Sequence, residues 1–118
     1  MPTKYETFAE LAARTERMLT DSIENWKSFL TTAARLYKYP YHEQLLIFAQ
    51  RPDATACADY ETWNKRMGRY VRRGSTGIAL LDDSGNYLKI KYVFDVSDTG
   101  ARINSHDVKL WTMEEQYR

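Results

Sequence analysis

Apolar residues recur at intervals of three and four along the first third of the chain: Phe8, Leu11, Ala12, Met18, Leu19, Ile23, Trp26, Phe29, Leu30, Ala33, Leu36 and Tyr37. That spacing gathers them on one side of a helix, so residues 8–37 are expected to be helical with one face buried. Thr20-Asp21-Ser22, followed by Glu24, suits the cap of a second helix or a bend within one long helix, and the pattern permits both. Tyr39-Pro40-Tyr41 interrupts the run, because the residue before a proline avoids the α region. Pro40 suits the first position of a new helix, where its missing N–H costs nothing. That helix, residues 41–50, is apolar around most of its circumference through Leu45, Leu46, Ile47, Phe48 and Ala49. It belongs in the middle of a core, and Arg51-Pro52-Asp53 ends it.

The second half changes period. After a small-residue connector at 54–58, Asp59 suits a helix N-cap, with Glu61 in the first turn and Lys65 and Arg66 in the last, before Gly68. Residues 70–71, 77–81 and 87–96 then look extended, with Asp82-Asp83-Ser84-Gly85-Asn86 as the hairpin connection. In the last strand Leu88, Ile90, Tyr92, Phe94 and Val96 alternate with Tyr87, Lys89, Lys91, Val93 and Asp95. The first set is expected to face the core and the second to face solvent. A register error of one residue would exchange the two faces. Residues 97–118 carry no clear period, though Val108, Leu110 and Trp111 are enough to dock on a core. The fold expected is α+β: three to four N-terminal helices packed on a small antiparallel β-hairpin sheet, in one domain spanning 1–118. The ending at Glu114-Glu115-Gln116-Tyr117-Arg118 reads as a piece of a longer polypeptide.

Composition adds little until charge is placed along the chain. The net charge of +1 selects no partner. Residues 1–58 balance seven basic against seven acidic side chains, and residues 82–118 hold five basic against seven acidic. Residues 59–81 hold five basic (Lys65, Arg66, Arg69, Arg72, Arg73) against two acidic, the one concentrated positive segment. The single Cys57 excludes an internal disulfide and argues against a structural zinc site. It reads as a small hydrophobe, half-buried. No apolar run reaches membrane-span length and residues 1–10 lack a signal-peptide core, so a cytoplasmic location is expected.

Catalytic chemistry finds few candidates. His42-Glu43 lacks the second histidine that a helical zinc-protease pair needs at Ile47, and His106 beside Asp107 has no visible partner. Asp95 and Asp98 have the spacing of turn and capping residues more than that of a nuclease pair. No catalytic residue, metal or cofactor is assigned. The segment Arg69-Tyr70-Val71-Arg72-Arg73-Gly74-Ser75-Thr76-Gly77 sets arginines before a turn whose N–H groups and hydroxyls suit phosphate oxygens. It lacks the lysine spacing of a nucleotide loop, and a solvated turn with surface arginines explains the same residues equally well. Lys65 and Arg66 are also accounted for by the dipole of the helix they would end, and Trp63 by core packing. Tyr60, Tyr70 and Tyr87 alternate with polar positions and suit base stacking, worth about 1–3 kcal/mol per base in single-strand binders.

An ordered series extends the picture: Trp26-Lys27-Ser28-Phe29-Leu30, Leu36-Tyr37-Lys38-Tyr39, Glu43-Gln44-Leu45-Leu46-Ile47, Gln50-Arg51-Pro52-Asp53-Ala54-Thr55, Trp63, Gly68 to Gly74, Gly77-Ile78 and Tyr92-Val93-Phe94-Asp95-Val96. Over residues 8–99 this resembles the N-terminal domain of ArdC-type antirestriction proteins, found at the front of large proteins of conjugative elements. The resemblance implies a single-stranded DNA-binding domain, with distant kinship to β-hairpin domains of nucleotide-excision repair, and makes Arg69, Arg72, Arg73 and Gly74 the best DNA contacts. Family members often have Asn where this chain has Glu43, and a Ser-Phe pair where it has Pro40-Tyr41, so a binding role does not carry over to Glu43. The zinc-protease-like part that follows in ArdC-type proteins is missing from this chain.

The expected function is therefore a non-catalytic module that binds single-stranded DNA with little sequence specificity. Its contacts would be Lys65, Arg66, Arg69, Tyr70, Arg72, Arg73, Gly74, Ser75, Thr76, Tyr87, Lys89 and Lys91: electrostatic capture, then stacking on tyrosines. The alternative is a docking module for other domains of a large polyprotein, presenting helix 41–50 and Trp111. A DNA mimic is excluded by the charge of +1, since a mimic is heavily acidic.

Overall fold

The computed structural model describes residues 2–85 and 87–101. The expectations for Asn86, His106, Val108, Leu110 and Trp111 lie outside the described residues. The helical first third is two helices. α1 (Lys4–Thr20) is capped by Thr3, whose side chain accepts from the Glu6 N–H, and α2 (Ile23–Arg35) by Ser22, which accepts from the Asn25 N–H. Of the two possibilities that Thr20-Asp21-Ser22 left open, the cap is the one realised. α3 (Tyr41–Gln50) follows, with Pro40 at its N-cap at φ −65°, one position earlier than expected. The Pro40 carbonyl accepts from the N–H groups of Glu43 and Gln44.

The apolar circumference of α3 has two destinations. Leu46 and Ile47 join Leu36, Ala54, Cys57, Ile78, Leu80 and Val93 in a cluster against the strands, flanked by Phe8, Leu11 and Ala12 of α1. Leu45 turns the other way, to Leu19 and Phe29, with Trp26 and Phe48 alongside. α3 is thus the shared wall of two clusters. Leu45, Leu46 and Ile47 are thereby buried, and the exposed part of the helix is its N-terminal turn, Tyr41 and His42.

The strands form two antiparallel sheets. β1 (Cys57–Ala58), β3 (Ile78–Asp82) and β4 (Lys89–Asp95) make the first, with β4 in the centre. β2 (Arg69–Val71) pairs with β5 (Thr99–Ala101) in the second, after a single 3-10 turn, Val96–Asp98. The α+β class is therefore as expected, and so is the β3–β4 hairpin, in which Ile78 faces Val93 and Asp82 faces Lys89. β5 was not foreseen: three residues of Thr-Gly-Ala carry no strand period.

β4 corrects the assignment of its faces. Val93 and Asp95, expected in solvent, are buried, whereas Leu88 and Tyr92, expected in the core, are exposed. Lys91, on the same side as Val93, reaches buried Glu43 of α3 at 2.9 Å. A lysine and an aspartate read as solvent-facing only while their partners are unknown. Asp59 caps the next turn as expected, accepting from the Thr62 N–H at 2.7 Å. That turn (Thr62–Arg66) is π-helical, not α-helical, closed by Met67 N–H to the Thr62 carbonyl. Trp63 is fully buried on it and donates its indole N–H to the Phe94 carbonyl, tying the turn to the central strand.

β3 is an edge strand whose exposed backbone is covered by one side chain. The Gln50 amide donates to the Ala79 carbonyl and accepts from the Ala79 N–H, both at 2.9 Å, as a neighbouring strand would.

Candidate nucleic-acid interface

The arginine segment joins two sheets and is not a hairpin turn. β2 ends at Val71 and pairs with β5, while β3 begins at Ile78 in the other sheet, so residues 72–77 bridge them. The bridge is fastened to the 3-10 turn. The Arg72 N–H donates to the Asp98 carbonyl at 2.8 Å, its guanidinium donates to the Ser97 carbonyl at 2.9 Å, and the Ser75 hydroxyl donates to the Asp98 carbonyl at 3.4 Å. Gly74 sits at φ +86°, in the left-handed region that favours glycine, and this reverses the chain. Arg73 and Thr76 are exposed and make no hydrogen bond or ion pair among the described residues.

Two networks hold the platform beneath, the first buried and the second partly exposed. Asp95, 2% exposed, accepts at Oδ1 from the N–H groups of Thr55 and Ala56, and at Oδ2 from the N–H and hydroxyl of Ser97. Burial alone would raise its pKa, but these hydrogen bonds outweigh it and hold the carboxyl below its ordinary value. Asp98 pairs with Arg51 at 2.6 Å, and Arg51 also donates to the Ser97 hydroxyl at 2.6 Å. Asp95 and Asp98 thus act as cap and ion-pair partner, the structural reading of the two.

Tyr70 stands opposite Gly100 in the register, with its ring laid over the glycine, where a Cβ would collide with it. The residue is 44% exposed. Arg69 on the same strand is engaged internally, its Nε donating to the Thr99 hydroxyl at 2.8 Å and Nη2 to the Thr99 carbonyl at 3.2 Å. The free cation of the segment is therefore Arg73, with Arg72 half committed to the fold.

The remaining candidates fall elsewhere. Lys89 and Tyr87 lie at the far end of the hairpin from the arginine bridge, since Lys89 faces Asp82 and Ile78 starts the strand. Four residue steps at about 3.4 Å put roughly 14 Å between those ends. Lys89 sits 3.9 Å from Asp82, and Tyr87 is 74% exposed. Lys65 pairs with Glu61 at 3.0 Å one turn away. Lys91 is held by Glu43, and the hydrogen bond it donates to that carboxylate is the main reason its pKa is raised. Tyr60 is exposed, as its spacing suggested.

Arg66 and Lys91, 25 residues apart in sequence, meet at an open cleft of about 390 Å³. Its rim also carries Lys38 and Asp59, and its floor includes Ala58, Leu80 and Val93. Tyr39 lines it too, its hydroxyl donating to the Cys57 carbonyl at 2.8 Å. Lys38 and Tyr39 were missed as site residues; the positive patch was sought within 59–81, and these belong to the segment after α2. Cys57 is buried, which together with neighbouring Asp95 pushes its thiol up to about 12 and keeps it protonated.

Among the described residues no three His, Cys, Asp or Glu side chains converge as a metal site, and no helix is long and apolar enough to cross a membrane. Compared with protein-family models, curated proteins and solved structures, the chain has no match.

Proposed function

We propose that this chain is a non-catalytic, cytoplasmic module that binds single-stranded DNA, the role that its resemblance to ArdC-type N-terminal domains implies, within a longer mobile-element protein. The observation that carries the reading is the bridge between the sheets. Arg73 is exposed and unengaged on a loop whose backbone is pinned by Arg72 and Ser75, three residues after Tyr70, whose ring lies against Gly100. A pinned loop presents its cation without losing much freedom on binding, and an exposed ring offers a base a face to stack on. The phosphate backbone supplies most of the affinity, so binding weakens steeply with salt.

The test is a fluorescence titration of single- and double-stranded oligonucleotides of equal length at low and near-physiological salt. Tighter binding to the single strand is expected, and Arg73→Ala should flatten the slope of log affinity against log salt by about 0.7, the value for one lost phosphate contact. No binding to either form at low salt overturns the proposal. The docking alternative draws support from Met18, Ile23 and Leu30, exposed apolar side chains on α1 and α2, and from Tyr41 at the start of α3.

A further inference from the structure

We infer that the cleft between the π-turn and the first sheet is a nucleotide subsite, taking one unstacked deoxynucleotide of a bound strand with its phosphate at the Arg66, Lys91 and Lys38 rim and its base against Tyr39 and Tyr92. The inference rests on the single-stranded DNA reading and deepens it.

Three features carry it. The cleft has the size of small-ligand sites, about 390 Å³ against a general range of roughly 300–1,000 Å³. Its chemistry is divided as a nucleotide's is. Three cations stand on the rim and Tyr39 and Tyr92 line the cleft, so charge and aromatic surface are both complementary to phosphate and base. Arg66 makes no hydrogen bond or ion pair among the described residues, and its charge bears on Asp59 only through space. Lys91 is oriented by Glu43 yet remains half-exposed, so its ammonium has donors left for a phosphate.

Continuity with the arginine bridge is the third feature. Tyr92 lines the cleft and also packs against Gly77, the last residue of the bridge, where an added Cβ would lie 3.0 Å from its ring. The end of the bridge, four residues after Arg73, and the cleft therefore share one side chain. Asp59 disfavours a phosphate at its own corner of the rim. Its carboxylate, held ionised by the Thr62 hydroxyl and N–H, accepts hydrogen bonds from a base instead.

The experiment titrates the whole chain with thymidine 5′-monophosphate, thymidine and inorganic phosphate, followed by amide chemical shifts, in parallel with a long single-stranded oligonucleotide. The nucleotide should shift the amides of Ala58, Thr62 and Arg66 and bind more tightly than either fragment. Arg66→Glu, at an exposed position, should weaken it roughly tenfold, the scale of one charge-assisted hydrogen bond. Arg73→Glu should weaken the oligonucleotide but leave the nucleotide within about twofold. Inorganic phosphate matching the nucleotide would reduce the cleft to a general anion site and overturn the inference. So would nucleotide shifts that are absent, or confined to residues 72–77, while the oligonucleotide binds; the DNA reading would then survive. Failure of the oligonucleotide as well removes both.

Discussion

Asp95→Asn should both destabilise the fold and loosen the arginine bridge. The Asp95 carboxylate spends both oxygens on protein donors: Thr55 and Ala56 N–H at 2.8 and 3.1 Å on one, Ser97 N–H and hydroxyl at 3.1 and 2.6 Å on the other. An amide cannot accept on both sides. Turned towards Thr55 and Ala56, its NH2 faces two obligate donors and both bonds are lost; turned towards Ser97, it loses the N–H bond while the hydroxyl can reverse and accept. The second arrangement is the cheaper, and one lost bond at about 1.5–3 kcal/mol, with the negative charge removed from those that remain, puts the cost at about 3 kcal/mol. For a chain of this size that corresponds to a fall of about 12 °C in Tm. Ser97 and Asp98 supply the carbonyls that fasten Arg72 and Ser75, so DNA affinity should fall even below the new Tm. Thermal unfolding by circular dichroism gives the first quantity and the oligonucleotide titration the second. A loss under about 0.5 kcal/mol, the range of an ordinary surface substitution, would refute the reasoning. The same group sets an acid limit. Because its folded-state pKa is depressed, its contribution is complete above the unfolded value of about 3.9 and is lost as pH falls through the lower folded value. Wild-type stability should therefore fall in that acid window, and Asp95→Asn should lose less there.

Lys91→Met should cost about 1–3 kcal/mol, below the usual cost of breaking a fully buried pair because the ammonium is half-exposed, and adding Glu43→Gln should restore most of it; a double-mutant cycle with no coupling would refute the pairing. The raised Lys91 pKa means this stabilisation is complete below about pH 10.4 and lost as pH rises through the higher folded value, which alkaline melts of wild type and the double variant would compare. Gln50→Glu sets a carboxylate against the Ala79 carbonyl, so it should cost about 2 kcal/mol and, by uncovering the edge of β3, promote association visible by light scattering. Gly100→Ala should displace the outer end of the Tyr70 ring for less than about 1 kcal/mol, yet weaken single-strand binding as Tyr70→Ala does; full affinity would remove Tyr70 as a stacking surface.

What the chain's order of residues decides by itself is local. Helix periods, the caps at Ser22 and Asp59, the break at Pro40 and the β3–β4 hairpin all depend on neighbours within a few residues, and each is where its local chemistry puts it. The candidate site was legible only in part. The Arg72–Arg73–Gly74 cluster stands out as composition and keeps an exposed, unengaged Arg73 in the fold. The tertiary structure decides the rest. β5 has no period of its own and becomes a strand because β2 lies beside it. Lys91 and Asp95 turn inward because Glu43 and the Thr55–Ala56 N–H groups, 39 to 48 residues away in sequence, satisfy them there. Burying a charge is costly without a partner and tolerable with one. No count of polar and apolar positions along a strand holds that information, because the partner belongs to another part of the chain.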